Sequence, residues 1–319
     1  MKKFLSLVLA LTMMMSLVTI NAGAKEFTDD EELNYKEAVD VISEISVVDG
    51  YEDGSFKPQN TLTRGAAIIC NLILGPTTAA ELHADTAPYK DVPVSNTFSG
   101  YIAYCAKEGI ISGYADGSFR PAGTLTGYAF MKMLLGALGY DATYEGYTGG
   151  NWSINVAKQA IGIGLNKGLV DEFNGVDFVT REEAALYAFN TLKATMVDYD
   201  QKITTNVNGV DVTISQGNAK PVTWTEGINE DGNIKDDNFV QFAEEFFPKL
   251  VRKDDNDKFM APANTWVFDK SEIGTYERTD LIVETYTTKV TGKDAYDLLK
   301  SGVIKDNDLE VYLDGVVPT

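Results

Sequence analysis

The side chains able to carry chemistry are few in kind. One histidine, His83, stands against 47 Asp and Glu. A lone imidazole excludes a Ser-His-Asp triad in the carboxyl-terminal part and a multi-histidine zinc site anywhere. No Gly-x-Ser-x-Gly, His-Glu-x-x-His or phosphate-binding loop occurs. Asp254-Asp255-Asn256-Asp257 has the acid density of a calcium loop but neither the glycine nor the closing glutamate of an EF-hand. Carboxylate pairs for glycoside hydrolysis are compatible with so many acids. Sequence spacing selects no pair, however, and the part after residue 200 is small for that chemistry. No catalytic residue, metal site or cofactor is assigned.

The remaining constellation is repeated. Gly50-Tyr51-Glu52-Asp53-Gly54-Ser55-Phe56-Lys57-Pro58 returns 63 residues later as Gly113-Tyr114-Ala115-Asp116-Gly117-Ser118-Phe119-Arg120-Pro121. Thr61-Leu62-Thr63 and Thr124-Leu125-Thr126 follow at equal distance. Units repeated at such a period seldom bury their apolar faces alone, so the surface they make together is the place to look for function.

Each unit reads as helix, loop, helix. Leu33, Ala38, Val41, Ile42 and Ile45 keep helical spacing before the first loop, and Thr63 then fits an N-cap for a helix over Ala66–Leu74. Tyr101, Ile102, Cys105 and Ile110 mark the next helix, and Thr126 opens one to Leu138 with Gly139 as terminator. A third, altered unit runs from Trp152 to Leu165, through the loop Asp171–Phe178, to Thr180-Arg181-Glu182-Glu183 and a helix through Leu192. Thr180 and Glu183 form the one complete Thr-x-x-Glu capping box among the three helix starts. After about Tyr199 the pattern changes: Asn208-Gly209 between alternating residues predicts a hairpin. Further strands are expected at Trp224, Trp266–Phe268, Ile282–Tyr286 and Leu309–Leu313, with helices over Asn238–Leu250 and Asp294–Leu299. Trp224, Trp266 and Tyr276 read as core aromatics rather than a sugar platform.

Met1-Lys2-Lys3, an apolar run over Phe4–Ile20 and Ala22-Gly23-Ala24 predict a secretory signal peptide cleaved after Ala24. Export then takes the formal charge from -20 to -22. That balance argues against nucleic acid, which needs clustered Lys and Arg, and against an anionic membrane surface after cleavage. With two cysteines this is no disulfide scaffold; a Cys70–Cys105 bridge and two buried thiols are both open.

These features resemble the S-layer homology domain, found as tandem copies in exported bacterial proteins. The resemblance rests on the two Gly-Tyr-x-Asp-Gly-Ser-Phe-x-Pro loops, Thr63-Arg64, Thr180-Arg181-Glu182-Glu183, Phe27-Thr28-Asp29 and Asp91-Val92, and covers about residues 26 to 195. It implies an α+β chain. A signal peptide (1–24) precedes an all-α pseudo-threefold triplet (25–76, 77–141 and a degenerate 142–200), and a smaller strand-containing domain (201–319) follows. The implied partner is a secondary cell-wall polysaccharide, often pyruvylated, held non-covalently in grooves between repeats of a secreted, wall-located protein. Self-association in a surface layer is the second partner class the resemblance allows.

The family's helix start is Thr-Arg-Ala-Glu, and its arginine is the residue most tied to ligand. By position that role falls to Arg64 and Arg181, bordered by Thr63, Thr180, Glu183 and the loop residues Asp53, Gly54, Asp116 and Gly117. A guanidinium fork suits a pyruvyl carboxylate, and a helix N-terminus favours an anion. The second repeat carries Gly127 where the arginine belongs. The implied function is therefore a non-catalytic surface anchor, with a wall-anchored enzyme as the alternative.

Overall fold

The computed structural model describes residues 23–64, 69, 71–73, 75, 81–200, 204–207, 210–213, 217–224, 233–282, 291, 293–294 and 297. Residues 1–22 of the expected signal peptide, Cys70, most of the helix expected at Ala66–Leu74, the Asn208-Gly209 turn and the strands expected over 283–286 and 309–313 lie outside them.

Helices form where the apolar period is helical and a cap is available. They are α1 (Lys36–Glu44), α2 (Ser99–Lys107), α3 (Gly127–Ala137), α4 (Trp152–Gly162), α5 (Arg181–Leu192) and the short α6 (Phe242–Phe246). Thr126 caps α3 by accepting the Ala129 N–H at 3.4 Å. Thr180 and Glu183 cap α5 reciprocally: Thr180 Oγ1 accepts the Glu183 N–H at 3.3 Å, and Glu183 Oε2 accepts the Thr180 N–H at 2.7 Å. The helix α5 is central, with every residue from Ala184 to Leu192 buried, and it contacts α1, α3 and α6. Buried Glu182 fastens it to the first repeat by accepting from the Asn34 N–H, Asn34 Nδ2 and Gln59 Nε2 at 2.9, 2.9 and 2.5 Å.

The triplet is closed by backbone. The Leu62 N–H donates to the Val179 carbonyl at 2.9 Å, the Val179 N–H to that of Leu125 at 3.0 Å, and the Leu125 N–H to that of Leu62 at 3.0 Å. An outer ring repeats the pattern, with N–H donation from Arg64 to Gly123, Gly127 to Asp177 and Arg181 to Asn60 at 2.8, 3.0 and 2.9 Å. Each segment therefore satisfies its polar groups only against the other two, which is why no unit is complete alone.

Both long loops are built by one device. The Asp29 carboxylate accepts the Phe56 and Lys57 N–H groups at 2.7 and 2.8 Å, and Asp91 accepts those of Phe119 and Arg120, both at 2.7 Å. Phe27 and Tyr89 press on the glycine that opens each loop. A Cβ on Gly50 would lie 2.6 Å from the Phe27 ring, and one on Gly113 2.3 Å from Tyr89. The leading aromatic and the first glycine are thus one packing unit.

The carboxyl-terminal part carries strands β1 (Val197–Asp198), β2 (Thr204–Val207), β3 (Val210–Thr213), β4 (Lys220–Pro221), β5 (Leu250–Asn256), β6 (Pro262–Phe268) and β7 (Ser271–Glu277). All pairs are antiparallel: β1 with β4, the hairpin β2–β3, and the meander β5-β6-β7. The architecture is α+β, as expected. The helix over Asn238–Leu250 is shortened to α6. Residues 238–241 are used in extended pairing, with the Val240 N–H donating to Val222 and the Met196 N–H to Val240, while Leu250 opens β5 opposite Phe268. Ile282 follows a 3-10 turn at Thr279–Leu281 instead of sitting in a strand.

The meander docks on α1. Trp266 is fully buried, 5.2 Å from Phe189 in an edge-on contact, and its indole N–H donates to Glu37 Oε1 at 2.7 Å. The Tyr276 hydroxyl donates to buried Asp40 at 2.6 Å. Trp266 and Tyr276 are thus core and junction aromatics. Asp254 through Asp257 do not converge: Asp255 accepts from Thr265 Oγ1, while Asp257 accepts the Phe259 and Ala261 N–H groups.

Candidate functional site

The helix starts face the loops of neighbouring repeats. Arg64 reaches the loop of the second repeat, where its guanidinium lies 4.2 Å from the Phe119 ring centroid and 5.2 Å from that of Tyr114. Arg181 reaches the loop of the first repeat in the same way, 4.7 Å from Phe56 and 4.8 Å from Tyr51. The tyrosine and phenylalanine of each loop are therefore the seat of the neighbour's arginine, worth about 0.5–2 kcal/mol per contact. Sequence reasoning missed this role, although both rings recur at fixed positions in the two loops.

The hydrogen bonds distinguish the two arginines. Arg181 spends Nε on the Phe56 carbonyl and Nη2 on that of Asp49, both at 2.8 Å. Arg64 donates from Nη2 to the Ser112 carbonyl at 3.0 Å, and its buried Nε has no partner among the described residues. Burial holds both guanidinium groups below the usual arginine range. Beside Arg64 opens a groove of about 500 Å³, lined among others by Tyr114, Thr126, Lys132, Tyr147 and Trp152.

At the third interface the equivalent position is Gly127, closely packed against the facing loop. A Cβ there would lie 3.0 Å from Gly175 Cα and 3.2 Å from the Phe173 ring. The Tyr128 N–H donates to the Gly175 carbonyl at 2.8 Å, and Phe173 packs edge-on against Tyr128 and Tyr187. The loop 171–178 offers no tyrosine–phenylalanine seat, and its own aromatic fills the space.

Of the other expected site residues, Thr63 pairs with Thr124 at the ring, and Thr180 and Glu183 cap α5. Asp53 accepts the Ser55 N–H and Oγ at 3.1 and 2.5 Å; Asp116 accepts those of Ser118 at 2.9 and 2.6 Å. Gly54 and Gly117 take φ of 81° and 79°, the left-handed turn position glycine fills without strain. These four build their loops, and of them Asp53 lines a hollow of about 410 Å³ beside the first loop.

The loop bonds give an acid signature. Ser118, with Arg120 and Lys90 adding to it, holds the Asp116 carboxyl at about 2, and the Phe119 and Arg120 N–H groups depress Asp91. Both folded values lie below the unfolded one, so this stabilisation is full above the ordinary carboxylate value near 3.8 and is lost as pH falls through the folded value. Amide protection at residues 113–121, taken relative to the intrinsic exchange rate at each pH, should therefore be high at pH 5 and fall as pH drops from about 4 to 2. Unchanged protection at pH 2 would contradict the carboxylate anchoring.

Residues 26–68 and 88–127 match the S-layer homology domain. The third helix start lies outside the matched segments. A surface layer protein of Brevibacillus choshinensis is 25% identical over 189 residues, 58% of this chain and 17% of that protein. An uncharacterized cell wall amidase of Bacillus anthracis is 28% identical over 152 residues, 45% of this chain and 28% of its own. A cellulosome-anchoring protein of Acetivibrio thermocellus is 28% identical over 133 residues, 39% and 30% of the two chains. The chain thus spans less than a third of each of these relatives.

Proposed function

We propose that this chain, a secreted cell-surface protein carrying S-layer homology domains, acts as a non-catalytic anchor that holds an acidic secondary cell-wall polysaccharide in the grooves between its repeats. The observation that carries the reading is the closed ring of three helix starts, which sets Arg64 and Arg181 on aromatic seats at inter-repeat grooves. Thr63, Thr180, Glu183, Asp53, Gly54, Asp116 and Gly117 are assigned to the same sites by their place in the repeated motif. In a chain of formal charge -20, fixed local cations are needed for any acidic glycan to bind. A pyruvyl carboxylate suits the guanidinium fork. Self-association in a surface layer is compatible with this role and with the names of the surface-layer relatives.

The test is sedimentation of the full chain with purified cell walls, before and after removal of their polysaccharide. Co-sedimentation is expected only with the polysaccharide present, reduced at least tenfold in a folded Arg64→Ala plus Arg181→Ala variant. Equal sedimentation by that variant would refute the groove assignment. The second reading, a wall-anchored enzyme, draws on the relative named as a cell wall amidase. Release of soluble fragments from walls by the full chain would favour it.

A further inference from the structure

One wall of the groove beside Arg64 is loop rather than helix. Tyr147, Thr148 and Gly149 line it, between the end of α3 and the start of α4. Thr148 and Gly149 are exposed, and Gly150 after them has no side chain to pack. The position of this wall is therefore set by the turn before it. In that turn the Glu145 N–H donates to the Asp141 carbonyl at 2.9 Å, and the Tyr147 N–H to that of Ala142 at 2.7 Å. Asn155 of α4 holds one side, donating from Nδ2 to the Gly146 carbonyl at 3.0 Å.

The other side is held by residues that leave the triplet. The Tyr199 hydroxyl accepts the Asp141 N–H at 3.1 Å and donates to Glu145 Oε1 at 2.7 Å, so it ties both ends of the turn. Its ring meets Tyr144 edge-on at 5.6 Å. Burial and the bond to Glu145 raise this hydroxyl above the usual tyrosine range, so it remains a donor at neutral pH. Just before it, the Val197 N–H donates to the Leu138 carbonyl at 2.9 Å at the end of α3. Gly139 permits that approach, since a Cβ there would run into the Val197 carbonyl.

The same segment is paired into the carboxyl-terminal part. Val197 and Asp198 of β1 face Pro221 and Lys220 of β4, and the Val222 N–H donates to the Met196 carbonyl at 2.9 Å. The Lys220 amine bonds both oxygens of Asp200 at 2.6 and 2.7 Å. Tyr199 thus stands between a small sheet on one side and the groove-wall turn on the other.

Resting on the anchoring role above, we infer that the carboxyl-terminal part regulates the Arg64 groove, with Tyr199 as the positioning residue through which it acts. While Tyr199 is seated on Asp141 and Glu145, the Tyr147–Gly149 wall is held in place. When β1 and β4 shift, the turn loses that hold and the groove its shape. Tyr199 is absent from the lining of the groove and acts on it through the turn.

The test uses the full chain, with polysaccharide released from purified walls as probe. Tyr199→Phe keeps the ring and loses both hydroxyl bonds. It should bind about fivefold more weakly, the size of effect expected from a residue that works at one remove. Amide protection over residues 141–147 should fall, while that of α5 stays within about twofold. Saturating polysaccharide should restore protection over 141–147 in this variant, because a ligand that needs the wall in place must close it. Glu145→Ala should weaken binding to a like extent, and the double variant no further. Trp266→Ala, which frees the meander and leaves this segment seated, should bind as the parent does. Parent-like binding by Tyr199→Phe with 141–147 loosened would overturn the regulation and leave the anchoring role standing. Unchanged protection over 141–147, additive losses in the double variant, or lost binding in folded Trp266→Ala would overturn it as well. If the parent itself fails to bind the polysaccharide, the anchoring role falls and this inference with it.

Discussion

Restoring the missing arginine should damage the protein rather than create a third groove. Gly127→Arg is expected to lose about 3 kcal/mol or more of stability. The new Cβ meets the Gly175 backbone at 3.0 Å and the Phe173 ring at 3.2 Å. Gly175 is itself closely covered by Tyr128: a Cβ on Gly175 would stand 2.2 Å from that ring. The loop 171–178 must then leave α3, breaking the bonds from Gly127 to Asp177 and from Tyr128 to Gly175. Replacing glycine in a helix returns at most about 1 kcal/mol of propensity, and less at the first helical position, so the steric loss wins. Urea unfolding reads the stability, and glycan titration should find no added site. A variant as stable as the parent, with a further binding site, would show that the third interface is open after all.

The second large effect lies at the junction. Trp266→Ala should cost about 3–5 kcal/mol, as loss of a fully buried indole does. It empties the space beside Phe189, 5.2 Å away, and strips Glu37 of its 2.7 Å donor. What remains between meander and α1 includes the Tyr276–Asp40 bond, a contact that does not replace apolar area. Trp266→Phe keeps an aromatic ring and loses mainly the N–H bond, so about 1–2 kcal/mol is expected. Hydrogen exchange should show β5, β6 and β7 exposed before α3 and α5 in Trp266→Ala. A loss below about 1 kcal/mol would mean that the sheet does not lean on α1. Such uncoupling leaves the grooves intact, so binding to walls should survive it.

Much of the helical half was legible because its signals are local. Thr126 and Thr180 announced their helices, since a cap and the apolar period act within a few residues. The loops were legible as turns for the same reason: Asp53 and Asp116 bond two residues ahead. Residues 238–250 misled because their helical periodicity competes with pairing to Val222 and Phe268, partners that no window of sequence contains. Lys132 went unnoticed because a lysine on an apolar helix reads as solvated surface until the opposite wall of its groove is known.

The sequence by itself predicted three units, placed the starts of α3 and α5 at Thr126 and Thr180, and showed that the second start has glycine in place of arginine. Local capping, turn chemistry and composition suffice for that. Only the tertiary structure decided that each arginine serves a neighbour's loop, that Gly127 faces a filled interface, and that Arg64 borders an acid-free groove while Arg181 is spent on carbonyls. The physical reason is that a groove between repeats is assembled from residues far apart in the chain. Its charge and its free donors exist only once the backbone ring has closed.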